Sequence, residues 1–227
     1  MKTKERERAR YLRRIEGLPL NEIARRVGVS KSSVSLWVRD VQLTREQQEA
    51  LRQRNPAYDR QLLGTRNNAA RRRAERVAYQ EEGRQRALIG STLHLAGCML
   101  FWAEGSKHRN TARFVNSDPE MVRLFVSFLR TCFDIADEHI RMTCNLFADH
   151  AERQWEIEQH WLDVAGLPRS SLCKSTVNVY SKHSKKKRRN KLPYGTCHVT
   201  VSRTRVVQSI YGSIQEYAGF ERPAWLE

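Results

Sequence analysis

Carboxylates are scarce in this sequence, and one long stretch of it has none. Its 227 residues include 25 Asp and Glu against 41 Lys and Arg, which gives a formal net charge of +16. From Val164 to Gln215 there are eleven Lys or Arg and no acidic residue. The solvated surface of a metabolic enzyme normally mixes both signs of charge. The imbalance therefore indicates a polyanionic partner, with nucleic acid first and an anionic membrane surface second.

Long apolar runs and paired cysteines are also missing. No run approaches the roughly 18 apolar residues of a membrane-spanning helix, and no signal-peptide core follows Met1–Arg6. The five Cys form no C-x-x-C pair, and the seven His have no spacing typical of metal ligands. We therefore predict a soluble, cytoplasmic protein of bacterial, nucleoid-associated type, with no disulfide framework, zinc site or other cofactor. The cysteines are predicted to be small buried hydrophobic residues.

The chain divides by composition into three zones. Residues 1–44 contain short helical patterns, residues 45–88 are polar and Arg-rich, and residues 89–227 hold most aromatics, every His and every alternating pattern. Alternation of apolar and polar residues is typical of half-buried strands. We therefore predict an α+β protein with three parts: an N-terminal all-α helix-turn-helix domain, a basic helical linker, and a C-terminal antiparallel sheet with helices on one face.

The N-terminal zone contains two short helical patterns separated by a glycine. Ala24 is small enough for a close helix contact, Gly28 permits a tight turn, and Val34 and Trp37 provide apolar anchors. Ser30 is placed to cap the second helix. A preceding helix is predicted to pack on this pair through three apolar residues: Tyr11, Leu12 and Ile15.

The segment LNEIARRVGVSKSSVSLWVRD, which begins at Leu20, resembles the helix-turn-helix of bacterial repressors and resolvase-type DNA-binding domains. With the anchors turned inward, short hydroxyls and cations face outward from the second helix. Such groups suit contacts to phosphates and base edges in the major groove of DNA. The predicted DNA-binding residues of this helix are Ser30, Lys31, Ser32, Ser35 and Arg39. An ordinary αα-hairpin with a polar outer face is the alternative.

Five arginines lie within about three helical turns of the second zone. They are Arg66, Arg71, Arg72, Arg73 and Arg76. These residues fit two interpretations equally well: a solvated linker helix, or an arm that follows the phosphates of DNA. The sequence leaves both open.

Four alternating patterns in the third zone predict strands over residues 111–116, 139–147, 173–180 and 196–202. A helix over Leu93–Glu104 is predicted to be buried because it is apolar nearly all round. Another helix is predicted to begin at Asp118-Pro119, with a cap and a proline in its first turn. Polar strand positions and the basic segment between the last two strands provide the other predicted DNA-binding residues. These are Arg141, Lys174, Asn178, Lys185, Lys186, Lys187, Arg188, Arg189 and His198.

Two segments, HLAGCMLFWAEGSK from His94 and SDPEMVRLFVSFLR from Ser117, resemble the LAGLIDADG homing endonuclease domain. The resemblance covers residues 90–218, and Trp102 departs from it by replacing the usual Asp. It implies a homodimer formed through the helix at residues 90–104, a sheet lying in the DNA major groove, and a metal-binding acid at Glu104. Some bacterial transcription regulators join a degenerate domain of this type to a helix-turn-helix, and this chain resembles that design.

Two functions follow from these resemblances. The first is a sequence-specific, double-stranded DNA-binding transcription regulator that performs no chemistry. The second is a Mg²⁺-dependent DNA endonuclease, in which Glu104 holds the metal and Lys107 stabilises charge developing on the phosphate. The nuclease needs a second Glu104 from a homodimer, because one chain has one motif. RNA binding, with Tyr180 stacking on a base, is a third interpretation.

Overall fold

The computed structural model describes residues 3–54, 58–178 and 192–227, with the side chains of residues 58–61 excluded. The chain forms two compact units, Met1–Ala70 and Arg71–Glu227. The α-helices are α1 (Thr3–Arg14), α2 (Leu20–Val27), α3 (Lys31–Trp37), α4 (Arg45–Arg54), α5 (Tyr58–Leu88), α6 (Thr92–Glu104), α7 (Pro119–Phe133), α8 (Gln154–Ala165) and α9 (Thr204–Ala218). The strands are β1 (Gly105–Ser106), β2 (Ala112–Asn116), β3 (Arg141–Phe147), β4 (Thr176–Asn178) and β5 (Thr196–Val201). The mixed α+β class is confirmed.

The first unit is built on a bundle of α1, α2 and α3. Its buried apolar residues come from these helices and from the residues that follow α1 and α3: Ala9, Leu12, Leu18, Ile23, Val34 and Val38. The predicted packing of α1 is right for Leu12 and wrong for Tyr11 and Ile15, whose side chains are more than half exposed. The reason is helical spacing: Leu12 follows Ala9 by three positions on the buried side, whereas Tyr11 and Ile15 form a neighbouring row.

Thr44 and Gln47 begin α4 with reciprocal hydrogen bonds. Gln47 N–H donates to Thr44 Oγ1 at 3.2 Å, and Thr44 N–H donates to Gln47 Oε1 at 3.1 Å. Gln47 Nε2 also donates to the carbonyl oxygens of Arg14 and Ile15, each at 3.1 Å. This capping box therefore satisfies orphan backbone groups at the start of α4 and at the end of α1.

The second unit contains a five-stranded sheet in the order β1-β2-β5-β3-β4. The pairs β1–β2, β2–β5 and β5–β3 are antiparallel, as predicted, but β4 is parallel to β3. Helix α8 lies between β3 and β4 in the chain, and a connection of that length allows the chain to re-enter the sheet in the same direction. The prediction of a fully antiparallel sheet is therefore wrong at this edge.

Alternate residues of the central strands face the core of the second unit. Met142 and Leu146 of β3 and Val199 of β5 have no exposed surface. Helices α6, α7 and α9 pack against this side of the sheet, where Phe125 of α7 stacks on Phe114 of β2 with ring centroids 4.6 Å apart. The predicted alternation of β3 and β5, and the placement of helices on one face, are confirmed.

Helix α6 is buried on one side only. Gly97 and Phe101 face the core, and a Cβ added to Gly97 would lie 2.2 Å from the Phe128 ring. On the other side, Leu95 is 41% exposed and Trp102 is 36% exposed. The prediction of a helix buried all round is therefore wrong, because α7, α9 and β2 cover a single side of it.

The C-terminal part of α5 packs directly on α9 through two glycines. A Cβ added to Gly83 would lie 2.0 Å from the carbonyl oxygen of Ser209, and one added to Gly212 would lie 1.9 Å from that of Gln80. The two backbones are in contact, and such a close approach requires glycine at both positions. Residues 71–88, within the predicted linker, thus contribute to the packing of the second unit.

Three of the five cysteines are buried. Cys98, Cys144 and Cys197 have no exposed surface, and Cys132 is half-buried. Burial raises the pKa of Cys98 to about 12 and that of Cys144 to about 11, which keeps both thiols protonated and unreactive. The prediction of burial is wrong for Cys173, which is exposed because it lies just before β4 on the polar side of the sheet.

Candidate nucleic-acid interface

Gly28 and Ser30 set the geometry of the turn between α2 and α3. Gly28 has a φ of +71°, a left-handed conformation that favours glycine, and its N–H donates to a carbonyl in the last turn of α2. Ser30 then begins α3, because its Oγ accepts from Ser33 N–H at 3.2 Å and lies 2.9 Å from Ser33 Oγ. The predicted turn and cap are confirmed. The Ser30 hydroxyl serves the helix, whereas Ser32 and Ser35 make no such bond among the described residues.

The outer side of α3 is a shallow concave surface without an acidic residue among those that line it. The surface is formed by five exposed residues, Lys31, Ser32, Ser35, Leu36 and Arg39, and we call it the α3 face. Within the described ranges, Lys31 and Arg39 have no ion-pair partner. Four of these residues are among those predicted from the sequence, and Leu36 is not.

A bidentate salt bridge fixes the end of α3 against α1. Arg10 donates to the two carboxylate oxygens of Asp40 at 2.6 and 2.8 Å, and to the Trp37 carbonyl at 2.7 Å. The hydrogen bond from Arg10 lowers the pKa of Asp40 to about 2. Asp40 is therefore ionised and engaged with Arg10 at neutral pH, which leaves the charge of its neighbour Arg39 available.

The polar side of the sheet, which we call the open face, carries a row of residues across three strands. Thr200 of β5 pairs with Arg113 of β2 and with Arg141 of β3. The other described residues that line the depression around this row are His108, Arg109, Asn110, Thr111, Thr143 and Cys173, and none is acidic. Arg141 is among the residues predicted from the sequence, but Arg113 is not. Its position between Ala112 and Phe114 in an alternating strand is the signal that identifies it.

His198 lies on the open face but is only 5% exposed. Its Nδ1 is 2.5 Å from Nη2 of Arg113. Burial, and secondly the charge of Arg113, lower the pKa of His198 to about 4. The ring is therefore neutral at pH 7 and accepts from Arg113 through Nδ1, so the proton is on Nε2, which has no partner among the described residues. His198 orients Arg113, and its direct contact with DNA stays a prediction.

The other predicted residues of the third zone are accessible or lie outside the described chain. Arg141 is exposed and donates to the Ser170 carbonyl at 3.3 Å. Lys174 and Asn178 are exposed. The predicted residues that lie outside the described ranges are Tyr180, Lys185, Lys186, Lys187, Arg188 and Arg189.

The two residues predicted for catalysis lie at the C-terminal end of α6. Lys107 Nζ donates to the carbonyl oxygens of Phe101, Trp102 and Gly105 at 3.1, 2.9 and 2.5 Å. Its ammonium therefore compensates the negative end of the helix, and its contact with a phosphate stays a prediction. Glu104 is exposed, and no group of three His, Cys, Asp or Glu among the described residues could hold a metal ion. Within one chain, the described residues do not fit a magnesium site.

Some arginines of the predicted phosphate-following arm are engaged with the C-terminus. Arg76 is buried and donates to the Leu226 carbonyl at 2.7 Å. Arg73 pairs with Glu227 at 3.3 Å. These contacts serve the fold of the second unit. Among the described residues, Arg66, Arg71 and Arg72 make no such contact with the C-terminus, and Arg71 instead lies 3.9 Å from Glu75.

In the described part of the chain, no helix combines the length and the apolarity that crossing a bilayer requires.

Comparison with known proteins bears on the first unit. Neither a curated protein nor a solved structure matches this chain, so the LAGLIDADG resemblance of residues 90–218 stays a prediction. A protein-family model described as a homeodomain-like domain matches residues 2–52, which include α1, α2 and α3. The match supports a helix-turn-helix in the first unit and indicates DNA as its partner.

Proposed function

We propose that this protein is a sequence-specific, double-stranded DNA-binding transcription regulator. The observation that carries the proposal is the α3 face, an acid-free surface on the second helix of a helix-turn-helix. Lys31 and Arg39, at the two ends of this surface, contact phosphates and so position the helix. Ser32 and Ser35 lie between them and form hydrogen bonds to base edges, which carry the sequence information.

The open face is proposed as a second DNA-contacting surface. His198 holds Arg113 in place, and a backbone carbonyl does the same for Arg141. Guanidinium groups fixed in this way are suited to phosphates, whose charge recurs along the duplex whatever its sequence. Lys174 and Asn178, both exposed, extend the surface.

Pairing of two copies through α6 is the third part of the proposal. Leu95 and Trp102 of α6 and Met121 of α7 are large apolar residues with more than a third of their surface exposed. Beside them, a groove is lined by Ala96, Leu100 and Leu124, and by Glu120, which is paired with Arg123. A second copy of the chain is the occupant implied by the resemblance of residues 90–104. A two-fold dimer presents the α3 face twice and reads two half-sites in inverted orientation.

Selection of bound duplexes from a random pool tests this function with the full chain. We expect an inverted-repeat motif that binds about a thousandfold or more tighter than bulk DNA. The Leu95→Lys variant serves as the control for pairing: by light scattering it should be a monomer, and it should recover a single half-site. A pool that remains random after repeated selection would contradict the proposed function.

The selected duplex also distinguishes regulation from cleavage. We expect the duplex to remain intact in Mg²⁺ or Mn²⁺, and the Glu104→Gln variant to bind it with unchanged affinity. Metal-dependent cleavage by the native chain that disappears in Glu104→Gln would establish the endonuclease instead.

A further inference from the structure

One exposed leucine lies within the α3 face. Leu36 is 69% exposed, whereas Val34 and Val38, two positions away on either side, are buried. A single exposed leucine is common on protein surfaces and by itself needs no explanation. Leu36, however, lines the same concave surface as Lys31 and Arg39, so DNA bound there meets its side chain.

Helical spacing places Leu36 beside the hydrogen-bonding residues of the α3 face. Ser32 and Leu36 are four residues apart and form one row, next to the row of Lys31 and Ser35; Arg39 follows the end of the helix. An isobutyl group forms no hydrogen bond with a phosphate or a base. The apolar group that DNA exposes in its major groove is the C5-methyl group of thymine. The chemistry of Leu36 therefore matches one base of the four.

We propose that Leu36 is a specificity-determining residue that contacts a thymine methyl group in the major groove. The inference rests on the proposed function and names one feature of the target, a T·A pair at a fixed position in each half-site. The surrounding cations, Lys31 and Arg39, and the lack of a lining acid favour DNA over a protein partner for this apolar side chain. Burial of one methyl group corresponds to about a fourfold change in affinity.

Deoxyuridine scanning of the selected duplex tests the assignment with the full chain. Each thymine is replaced in turn by deoxyuridine, which keeps the base pair and removes only the methyl group. At one position in each half-site, the native chain should bind the substituted duplex about fourfold more weakly. The Leu36→Ala variant should bind the unmodified duplex about fourfold more weakly and should not distinguish thymine from deoxyuridine at that position.

Ile15→Ala is the matched control, because Ile15 is 58% exposed in the same bundle but does not line the α3 face. This variant should keep the native response to deoxyuridine. Leu36→Ala should keep the native unfolding temperature, since Leu and Ala have similar helix propensities and Leu36 packs little.

The outcomes separate the inference from the proposed function. Two outcomes would overturn the role of Leu36 while sequence-specific binding stands. In the first, no deoxyuridine substitution weakens binding by the native chain. In the second, a substitution at one position weakens binding equally in the native chain and in Leu36→Ala. Failure to select any motif would instead overturn the proposed function, before deoxyuridine is introduced.

Discussion

The α3 face and the open face are both cationic and free of lining acids, but their cations are held differently. On the α3 face, Lys31 and Arg39 have no ion-pair partner within the described ranges, and the serines between them are short. On the open face, Arg113 is bound to His198, and Arg141 is bound to a backbone carbonyl.

We propose that this difference determines how each surface contacts DNA. Side chains that are free to adjust on a helix can follow the pattern of base edges, whereas fixed guanidiniums recognise charge that is the same for every sequence. A positive charge therefore predicts DNA contact for both surfaces, but it does not show which surface reads the base sequence and which contacts only phosphates. We expect changes on the α3 face to alter which DNA is bound, and changes on the open face to alter how strongly salt weakens binding.

The largest effect is expected from Gly212→Val, which destabilises the second unit, and with it the open face, by forcing α9 away from α5. A Cβ at this position overlaps the carbonyl oxygen of Gln80, so the loss of stability should be about 3 kcal/mol or more. Hydrogen exchange should show that β3 and β5 lose protection while α1 and α2 keep it.

The preference of Gly212→Val for a single half-site over bulk DNA should persist, whereas its preference for the inverted repeat should fall, because the proposed pairing through α6 needs a folded second unit. If Gly212→Val loses the half-site preference as well as the hydrogen-exchange protection of β3, the open face reads sequence. Gly64→Ala is the matched control, because nothing lies within 4 Å of an added Cβ there. It should stabilise α5 by up to about 1 kcal/mol.

Acid should weaken the two units in different pH windows. The pKa of His198 falls from 6.5 to about 4 in the folded chain, so the unfolded chain binds more protons between these values and the second unit loses stability as the pH falls through that range. The pKa of Asp40 falls from 3.8 to about 2, so the first unit loses stability as the pH falls from about 3.8 to about 2.

Hydrogen exchange across a pH series measures both windows in one sample. His198→Gln should make the stability of the second unit less dependent on pH between 6.5 and 4, and Asp40→Asn should do so for the first unit below pH 3.8. Burial also lowers the pKa of His94. His94 should therefore account for the pH dependence of stability that remains in the His198→Gln variant. An unchanged pH dependence in His198→Gln would contradict the buried, neutral state of this ring.

Replacing both arginines of the open face should weaken binding to all DNA sequences. The Arg113→Gln/Arg141→Gln double variant should make the slope of log affinity against log salt shallower by roughly two units, one for each phosphate contact. Arg123→Gln is the matched control, because Arg123 is exposed on α7 and already paired with Glu120. Equal slopes in both variants would show that DNA does not contact the open face.

The smallest effect is expected from Ser30→Ala, which removes the cap of α3. The first unit should lose about 1 kcal/mol of stability, because Ser33 N–H loses its acceptor. Thermal unfolding measures this loss. Affinity for the selected motif, measured well below the unfolding temperature, should stay close to native, since the Ser30 hydroxyl is used within the helix; a large loss would assign Ser30 to DNA contact.

The sequence predicts best those features that depend on neighbouring residues. Gly28 and Ser30 adopt the predicted turn and cap, and Asp118 caps α7 by accepting from Glu120 N–H at 2.8 Å. Each of these signals is complete within about four residues, so no tertiary contact needs to be known. Four of the five residues of the α3 face, all but Leu36, could be predicted for the same reason, because the spacing of the buried anchor Val34 fixes which residues face outward.

The features that the sequence does not reveal depend on distant contacts. Gly83 and Gly212 are 129 positions apart in numbering, and their close approach exists only when α5 packs on α9. The parallel pairing of β4 and the exposure of one side of α6 likewise depend on which elements become neighbours. His198 shows the same limit at a single site. The alternation of strand residues places it on the open face, but its burial and its hydrogen bond to Arg113 depend on residues that are distant in the sequence.

The central claim is tested most directly by a ratio of two affinities of the full chain: its affinity for the selected motif divided by its affinity for bulk DNA. In Lys31→Ala/Ser35→Ala this ratio should fall by about tenfold or more, because base contacts are lost in addition to one phosphate contact. The Arg113→Gln/Arg141→Gln variant should keep the native ratio. Equal losses on both kinds of DNA in Lys31→Ala/Ser35→Ala would contradict the assignment of sequence reading to the α3 face.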